Sequence, residues 1–374
     1  MVVGIYGKNS FSGNMCRGYN FDRQSYNAID LAKFLCSILV VMIHIPPFGS
    51  EDDIGVVRYL NYGVCNCLGM IAVPFFFVTS GFLLFRKTSY ENFDIIPIKK
   101  YVLRLLKLYI IWSLIYLPIV VEYSKGYEVT YALLVYIRNF IFVGSYGQLW
   151  YLNATVVAVI LISCLLVRKI TVRKIMVSAF LFYIIGLLAQ SWFGIIALMK
   201  SGFPNIWMIL KLIQKVILTT RNGLFFRFLF VGMGMYYAFS KCKIAKEKAL
   251  MGFIISIILM FLEALILKKI NWVYMCDMYL FSIPTTYFGF GYIKQVELQD
   301  NNIYRMLRSL SSLIFYTHLW FKYLVWKFLS LFHEGLEKTC LLFIVTLIVT
   351  VICSILIIFL SDLNKLKWLK KLYA

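Results

Sequence analysis

The chain is short of charge, and shortest of acid. Its 374 residues include 17 Asp and Glu against 38 Lys and Arg, three His, and 15% charged residues in all. Such thin polar cover cannot solvate a water-soluble domain of this length. No polar segment is long enough to build a core of its own, which excludes a separate soluble domain. Phosphate-binding Walker loops, dinucleotide fingerprints, zinc-ligand spacings and Gly-x-Ser-x-Gly elbows are all missing, and with them the reactions they serve. The N-terminal MVVGIYGKNSFSGNMCRGYNFDRQ has no continuous apolar core, so a cleaved secretory signal is not expected and the first membrane helix should direct insertion. The nine cysteines are scattered through apolar runs. Only Cys65 and Cys67 are close, and C-x-C without partner histidines is weak metal evidence, so they read as small core hydrophobes and no metal is expected.

What remains is apolar: 61% hydrophobic residues and a mean hydropathy of +0.81. Runs near 20 residues recur along the chain, each able to cross a hydrocarbon layer about 30 Å thick. Ten can be drawn, at 28–46, 63–85, 102–121, 149–167, 175–194, 224–240, 249–267, 275–293, 311–331 and 340–360. The net charge of +21 would suit a nucleic-acid binder, but the basic residues sit in short connections between apolar runs, so no nucleic-acid partner is expected. With the N-terminus inside, the inner segments collect more than twice as many Lys and Arg as the outer ones. The expectation is therefore an all-α, polytopic membrane bundle of about ten transmembrane helices with both termini cytoplasmic. An N-terminal tail would occupy 1–27, the membrane domain 28–361 and a basic cytoplasmic tail 362–374. Two outer stretches, YALLVYIRNFIFVG and NIWMILKLIQKVIL, are too short or too broken by Lys to span, and read as interfacial or re-entrant helices of an outer vestibule. Glu51 to Asp53 make the first outer loop acidic. No internal repeat suggests inverted symmetry.

The ionisable groups inside the spans are few. In NAIDLAKFLCSILVVMIHIPP, Lys33 and His44 are eleven residues apart, which places them within roughly 20° on one helix face and roughly 16 Å apart along it. Asp30 lies one turn below Lys33. Charged groups in a membrane helix cost about 2.5–3.5 kcal/mol each on insertion scales and are usually kept for function. The alternative is an interfacial Asp30–Lys33 anchor pair with a satisfied helix-end histidine at His44. His318, in SSLIFYTHLW with Tyr316 two residues before it, is the second intramembrane histidine; His333 lies in a polar outer loop. Imidazole is the natural general base for a hydroxyl near neutral pH. Both intramembrane histidines equally suit interhelical hydrogen bonding. VPFFFVTSGFLLF sets Thr79, Ser80 and Gly81 in an apolar helix, where small residues allow close packing and Ser80 can also meet a substrate. Arg227, near the outer start of its span, has three available partners: lipid phosphate, Glu263 or an anionic ligand.

These segments, in this order, resemble the integral-membrane acyltransferase 3 family. NAIDLAKFLCSILVVMIH is similar to its first-helix signature, an aspartate before a basic residue with a histidine after ten more. VPFFFVTSGFLLFRK resembles its Phe-Phe-x-x-Ser-Gly-Phe element, and KKYVLRLLKLY the basic start of its third span. QLWYLNA resembles Leu-Trp-Phe-Leu, TTRNGLFFRFLFVGMGMYYA a Gly-Leu-Phe-Phe segment, and SSLIFYTHLW the late Tyr-x-x-His element. Lys33 stands where arginine is usual, Lys107 where many members carry proline, and Arg227 where the residue is often small. The resemblance implies transfer of an acyl group, often acetyl, from cytoplasmic acyl-coenzyme A to a carbohydrate or lipid-linked glycan. It implies no tightly bound cofactor, with acyl-coenzyme A as co-substrate and membrane lipids as surroundings. His44 would be the catalytic base or acyl carrier, Lys33 the donor-phosphate contact and Asp30 the group that orients or neutralises Lys33. Arg86, Arg104 and Lys107 would join Lys33 in holding the donor. His318 and Tyr316 would meet the acceptor, with Ser80, Arg227 and Trp150 as further substrate contacts. The location would be a cell membrane, bacterial and cytoplasmic. Two rivals stand beside this: a small-molecule permease, since some chains of this fold are fused to amino-acid racemases and are thought to import serine, and a catalytically dead structural partner.

Overall fold

The computed structural model describes residues 26–48, 62–205, 208, 220, 222–240, 244–275, 277–331 and 340–373. The N-terminal residues to 25, the acidic loop Glu51 to Asp53, most of NIWMILKLIQKVIL, and His333 lie outside the described residues. Every regular element among the described residues is helical.

Helix α1 (Asn27–His44) carries Asp30 in its first turn, where the partial positive charge of a helix N-terminus favours an acid. It ends at Ile45, where Pro46 and Pro47 can supply no N–H to continue the ladder. Its partner is α11 (Asn302–Leu329). Three contacts tie the two at one constant offset. Arg308 donates from Nε and Nη2 to the Asp30 carboxylate, the Nε distances being 2.9 and 3.0 Å. Ser311 Oγ donates to the Lys33 carbonyl at 3.1 Å, and Lys322 Nζ to the His44 carbonyl at 2.8 Å. Each pair is 278 residues apart, so α1 and α11 run parallel, in register, for about 21 Å of helix rise.

Helix α2 (Gly69–Phe85), entered through a π-helical turn at Tyr62–Leu68, crosses α8 (Phe228–Phe239) backbone to backbone. A Cβ on Gly81 would strike the Val231 carbonyl, and one on Gly234 would strike the Val78 carbonyl and Phe82 N–H. This close approach is the packing role expected of the Thr79–Gly81 stretch. It lets Phe77, Phe85, Phe228 and Phe230 bury fully in the central core together with Tyr183 of α6 (Val172–Leu188). Helix α3 (Ile96–Tyr123) packs on α5 (Trp150–Val167), with α4 (Val129–Phe142) between them in sequence. No residue of α4 is buried, in keeping with an interfacial outer helix. A short helix, α7 (Phe193–Gly202), follows α6.

Each of the ten expected spans coincides with a helix, but five segments are long and apolar enough to cross a membrane: Asn27–His44, Ile96–Tyr123, Val129–Val167, Lys246–Lys269 and Cys340–Ser361. The expected span at 275–293 shortens to α10 (Ser282–Ile293) for a visible reason. From α9 (Lys246–Lys269), the Glu263 carboxylate accepts from the Leu280 and Phe281 N–H groups at 2.8 and 2.9 Å. It thereby satisfies backbone that an apolar setting could not leave bare. The cysteines divide: Cys36, Cys65 and Cys67 are buried, whereas Cys164 and Cys340 are exposed. After α12 (Cys340–Ser361), the basic segment folds back as a 3-10 helix, Asn364–Leu372, whose Leu372 carbonyl accepts from Trp112 Nε1 at 2.9 Å.

The α1–α11 tie is testable by a double-mutant cycle on thermal unfolding in detergent. Asp30→Asn and Arg308→Gln should couple by about 1.5–3 kcal/mol, the worth of a charge-assisted hydrogen bond. Asp30→Asn and Lys33→Gln, charged neighbours without a hydrogen bond between them, should couple more weakly, and the reverse order would contradict the register.

Candidate active site

Two cavities lie along the face of α1, one near each end. The inner one, about 440 Å³, is lined by Lys33, Arg86, Lys87, Arg104 and Arg308, with Asp30 the one acidic residue on its wall. Asp30 is 2% exposed and already holds Arg308, so four cations are left without an ion pair among the described residues. Arg86 sits over the Tyr26 ring and Arg104 over Tyr101, with ring distances of 4.7 and 5.4 Å, which fixes their planes at the cavity edge. Lys33 has no hydrogen-bond partner for its ammonium among the described residues; its charged neighbours are Asp30, Arg308 and Arg104. Tyr373, from the folded-back C-terminal segment, completes the wall. The arrangement suits a polyanion.

The outer cavity is far smaller, about 40 Å³, and is where His44 lies, with Gln148, Tyr151, Phe315 and Asp277 among its other walls. Gln148 is 1% exposed. Its amide N–H donates to the Tyr316 carbonyl at 3.1 Å, leaving Oε1 as an acceptor with no partner among the described residues. Between the cavities the barrier is thin. Ser80 lines the inner one, Tyr151 lines the outer one, and their hydroxyls share a hydrogen bond of 3.1 Å. Tyr151 is stacked on Phe77 at 4.4 Å and edge-on to Phe315 at 5.2 Å.

The His44 and His318 rings are 5.2 Å apart, brought together by the parallel register. His318 is fully buried and its Nδ1 bonds the Ile314 carbonyl at 3.0 Å, which makes Nδ1 the protonated nitrogen. Nε2 is left as a buried acceptor without a partner among the described residues. His318 backs His44 and lines neither cavity.

Several expected site residues stand elsewhere. Asp30 accepts hydrogen bonds from Arg308, because the facing helix offers a planar guanidinium that matches a carboxylate through two N–H groups, and it remains a charged neighbour of Lys33 one turn away. Tyr316 is turned away from the cavities, its ring stacked on Trp112 at 5.2 Å. Two residues on a helix differ by about 200°, so Tyr316 and His318 cannot share a face. Lys107 is exposed and off the inner cavity, since the buried stripe of α3 runs through Leu105, Leu108, Tyr109 and Trp112. Arg227 is 0% exposed, which rules out lipid phosphate, and Glu263 is engaged by Trp192 and backbone. Instead its guanidinium lies 3.6 Å from the Trp150 ring centroid and 4.3 Å from that of Phe77, and Nη1 donates to the Trp150 carbonyl at 3.2 Å. Trp150 itself lines the outer cavity, as a substrate contact requires.

An acyltransferase domain matches residues 26–359. The chain belongs to the acyltransferase 3 family. An amino-acid racemase of Enterococcus faecalis is 32% identical over 225 residues, 60% of this chain and 30% of the racemase. A serine/alanine racemase of Enterococcus gallinarum is 28% identical over 274 residues, 71% and 36% of the respective chains. The chain spans about a third of the length of these curated relatives. No solved structure matches it.

Five residues of the candidate site or its helix ties were not singled out from the sequence: Arg308, Lys322, Gln148, Tyr151 and Asp277. Gln148 and Tyr151 fall inside QLWYLNA, whose polar positions in an apolar helix were the available signal. Arg308 and Lys322 are visible only once α11 is set against α1.

Arg227→Lys keeps the charge but loses the planar stack, so thermal stability in detergent should fall by about 2 kcal/mol, the worth of a desolvated cation–π contact. An unchanged midpoint would return Arg227 to the ligand-binding role.

Proposed function

We propose that the protein is a multi-pass O-acyltransferase that moves an acyl group, most simply acetyl, from cytoplasmic acyl-coenzyme A to a hydroxyl of a cell-surface or lipid-linked glycan. The observation that carries this is the pairing on one helix of Lys33, whose ammonium has no hydrogen-bond partner among the described residues of the inner cationic cavity, with His44 in the outer one. Coenzyme A brings a diphosphate and a phosphomonoester, which match Lys33, Arg86 and Arg104 in charge. Its pantetheine arm is of the same order as the ~16 Å between Lys33 and His44 set by helix rise. The site lies in a ten-span bundle of a bacterial cytoplasmic membrane with both termini inside. Two features support that layout: the Lys/Arg bias, and the parallel course of α1 and α11, which alternating crossings require of a first and a ninth span.

In this reading, His44 takes the proton from the acceptor hydroxyl, and the hydroxyl oxygen attacks the thioester carbonyl carbon. The carbon–oxygen bond forms, the carbon–sulfur bond breaks, and the leaving thiolate recovers the proton from His44, so donor and acceptor balance without a third reactant. Gln148 Oε1 accepts a hydrogen bond from a second hydroxyl of the acceptor and so holds the reacting hydroxyl beside His44. His318 is a positioning residue: its ring fixes the His44 ring from behind. The membrane supplies the surrounding lipid, and no tightly bound cofactor is required.

The racemase names of the relatives favour one second reading, an amino-acid permease built on the same helices. Acyl-coenzyme A titrations on membranes separate the two. Lys33→Gln should raise the apparent donor requirement about 10–150-fold with little change in acceptor requirement, as loss of a charge-assisted contact implies. Lys33→Arg should retain most activity, Lys107→Gln should be near silent, and His44→Ala should abolish product at unchanged abundance. Donor-independent amino-acid uptake that survives in all four variants would instead establish the permease.

A further inference from the structure

The segment after α12 carries leucine at every third position, Leu363, Leu366, Leu369 and Leu372, with Lys365, Lys367, Lys370 and Lys371 among the residues between. A repeat of three is that of a 3-10 helix, in which such side chains eclipse along one side. Asn364–Leu372 takes that form, with Leu366, Leu369 and Leu372 half-buried and the lysines exposed. It packs against both α3 and α12, and Leu372 joins the cluster around Leu105, Leu108 and Trp112. Tyr373 is thereby set into the wall of the inner cavity, and two hydrogen bonds hold it there. Trp112, its ring stacked on Tyr316 at 5.2 Å, donates from Nε1 to the Leu372 carbonyl at 2.9 Å. The Tyr373 hydroxyl shares a hydrogen bond of 2.8 Å with Oγ of Ser361, which is fully buried. Of the three tyrosines on the cavity wall, Tyr26 and Tyr101 each have a ring face taken, by Arg86 and Arg104. No ring or cation lies over Tyr373 among the described residues. The cavity thus combines cations suited to phosphate with one aromatic ring left over.

We propose that the folded-back segment completes the donor site, the Tyr373 ring being the surface on which the purine base of the donor stacks. The inference rests on the acyl-transfer reading above and adds a binding residue to it from outside the membrane spans. A purine has a π face that stacks on an aromatic ring whatever its edge groups do. Binding costs least when the contact groups are ordered beforehand, and the Trp112 and Ser361 bonds order Tyr373 in advance. Base and phosphates then have separate partners, so each can be removed without the other.

The test uses membranes containing the full chain and their endogenous acceptor, with two donors labelled in the acetyl group. One is acetyl-coenzyme A; the other is its abasic analogue, with every phosphate kept and hydrogen in place of adenine on the ribose. Label reaching the glycan fraction is counted against membranes lacking the chain. At limiting donor the wild type should prefer acetyl-coenzyme A by about 5–150-fold, the effect of one base–aromatic stack. Tyr373→Ala, and independently Tyr373→Leu, which keeps an apolar side chain, should bring that ratio near one by slowing acetyl-coenzyme A alone. Tyr373→Phe keeps the ring and should keep most of the preference. Abundance is followed by fluorescence chromatography, and the wild-type ratio tests the base contact even where a variant fails to fold. Equal use of both donors by the wild type overturns the stacking contact and leaves acyl transfer standing. A large wild-type ratio that folded Ala and Leu variants preserve, with both donors slowed alike or not at all, overturns the assignment to Tyr373. Absence of label from either donor overturns the acyl-transfer reading and this inference with it.

Discussion

The in-register parallel pairing of α1 with α11 is the constraint on which the site depends. Arg308 holds the lower end of α1 through Asp30, and Lys322 holds its upper end through the His44 carbonyl. Both ties place a cation where a helix or its first turn offers negative charge, and the Asp30 carboxylate, its side chain 3% exposed, has little water as an alternative partner. The lower tie also engages the one carboxylate among the described residues of the inner cavity wall, so no described hydrogen bond takes up the Lys33 ammonium. The upper tie secures the last turn of α1, and with it the His44 ring 5.2 Å from His318. A slip of one residue would rotate α11 by about 100° and carry His318 away.

The second constraint is aromatic. Gly81 and Gly234 bring α2 and α8 close enough for Phe77 to reach the Tyr151 ring, and Arg227 clamps Trp150 from behind. Buried guanidinium is costly unless its surroundings compensate, and here two ring faces and a backbone carbonyl do so. The result is a stiff septum closed by one hydrogen bond, between Ser80 and Tyr151. That is a reasonable design for chemistry between two aqueous faces.

Much of this was legible in the sequence. Hydropathy located every helix that matters, and the eleven-residue spacing put Lys33 and His44 on one face. Arg86 and Arg104, which the resemblance pointed to together with Lys107, do line the inner cavity, whereas Lys107 does not. What failed did so for identifiable reasons. Asp30 was assigned to Lys33 because sequence shows neighbours within a helix and not the residue 278 positions on. Tyr316 was grouped with His318 by closeness in sequence, although two positions in a helix point to opposite sides. Arg227 looked like a ligand contact because a cation in an apolar run gives no hint of the aromatic rings folded round it. Gln148 was passed over since one amide in QLWYLNA shows its unpaired oxygen only when the Tyr316 carbonyl has claimed its N–H.

The central claim is that a polyanionic donor sits in the inner cavity and points its reactive end along α1 toward His44. Electron cryomicroscopy of the full chain in lipid nanodiscs with saturating coenzyme A measures this directly. The account predicts phosphate oxygens within hydrogen-bond distance of Lys33 Nζ and of the Arg86 or Arg104 guanidinium, with the thiol at the Ser80–Tyr151 septum. An inner cavity empty of coenzyme A under those conditions, or coenzyme A bound with its phosphates away from Lys33, would contradict it.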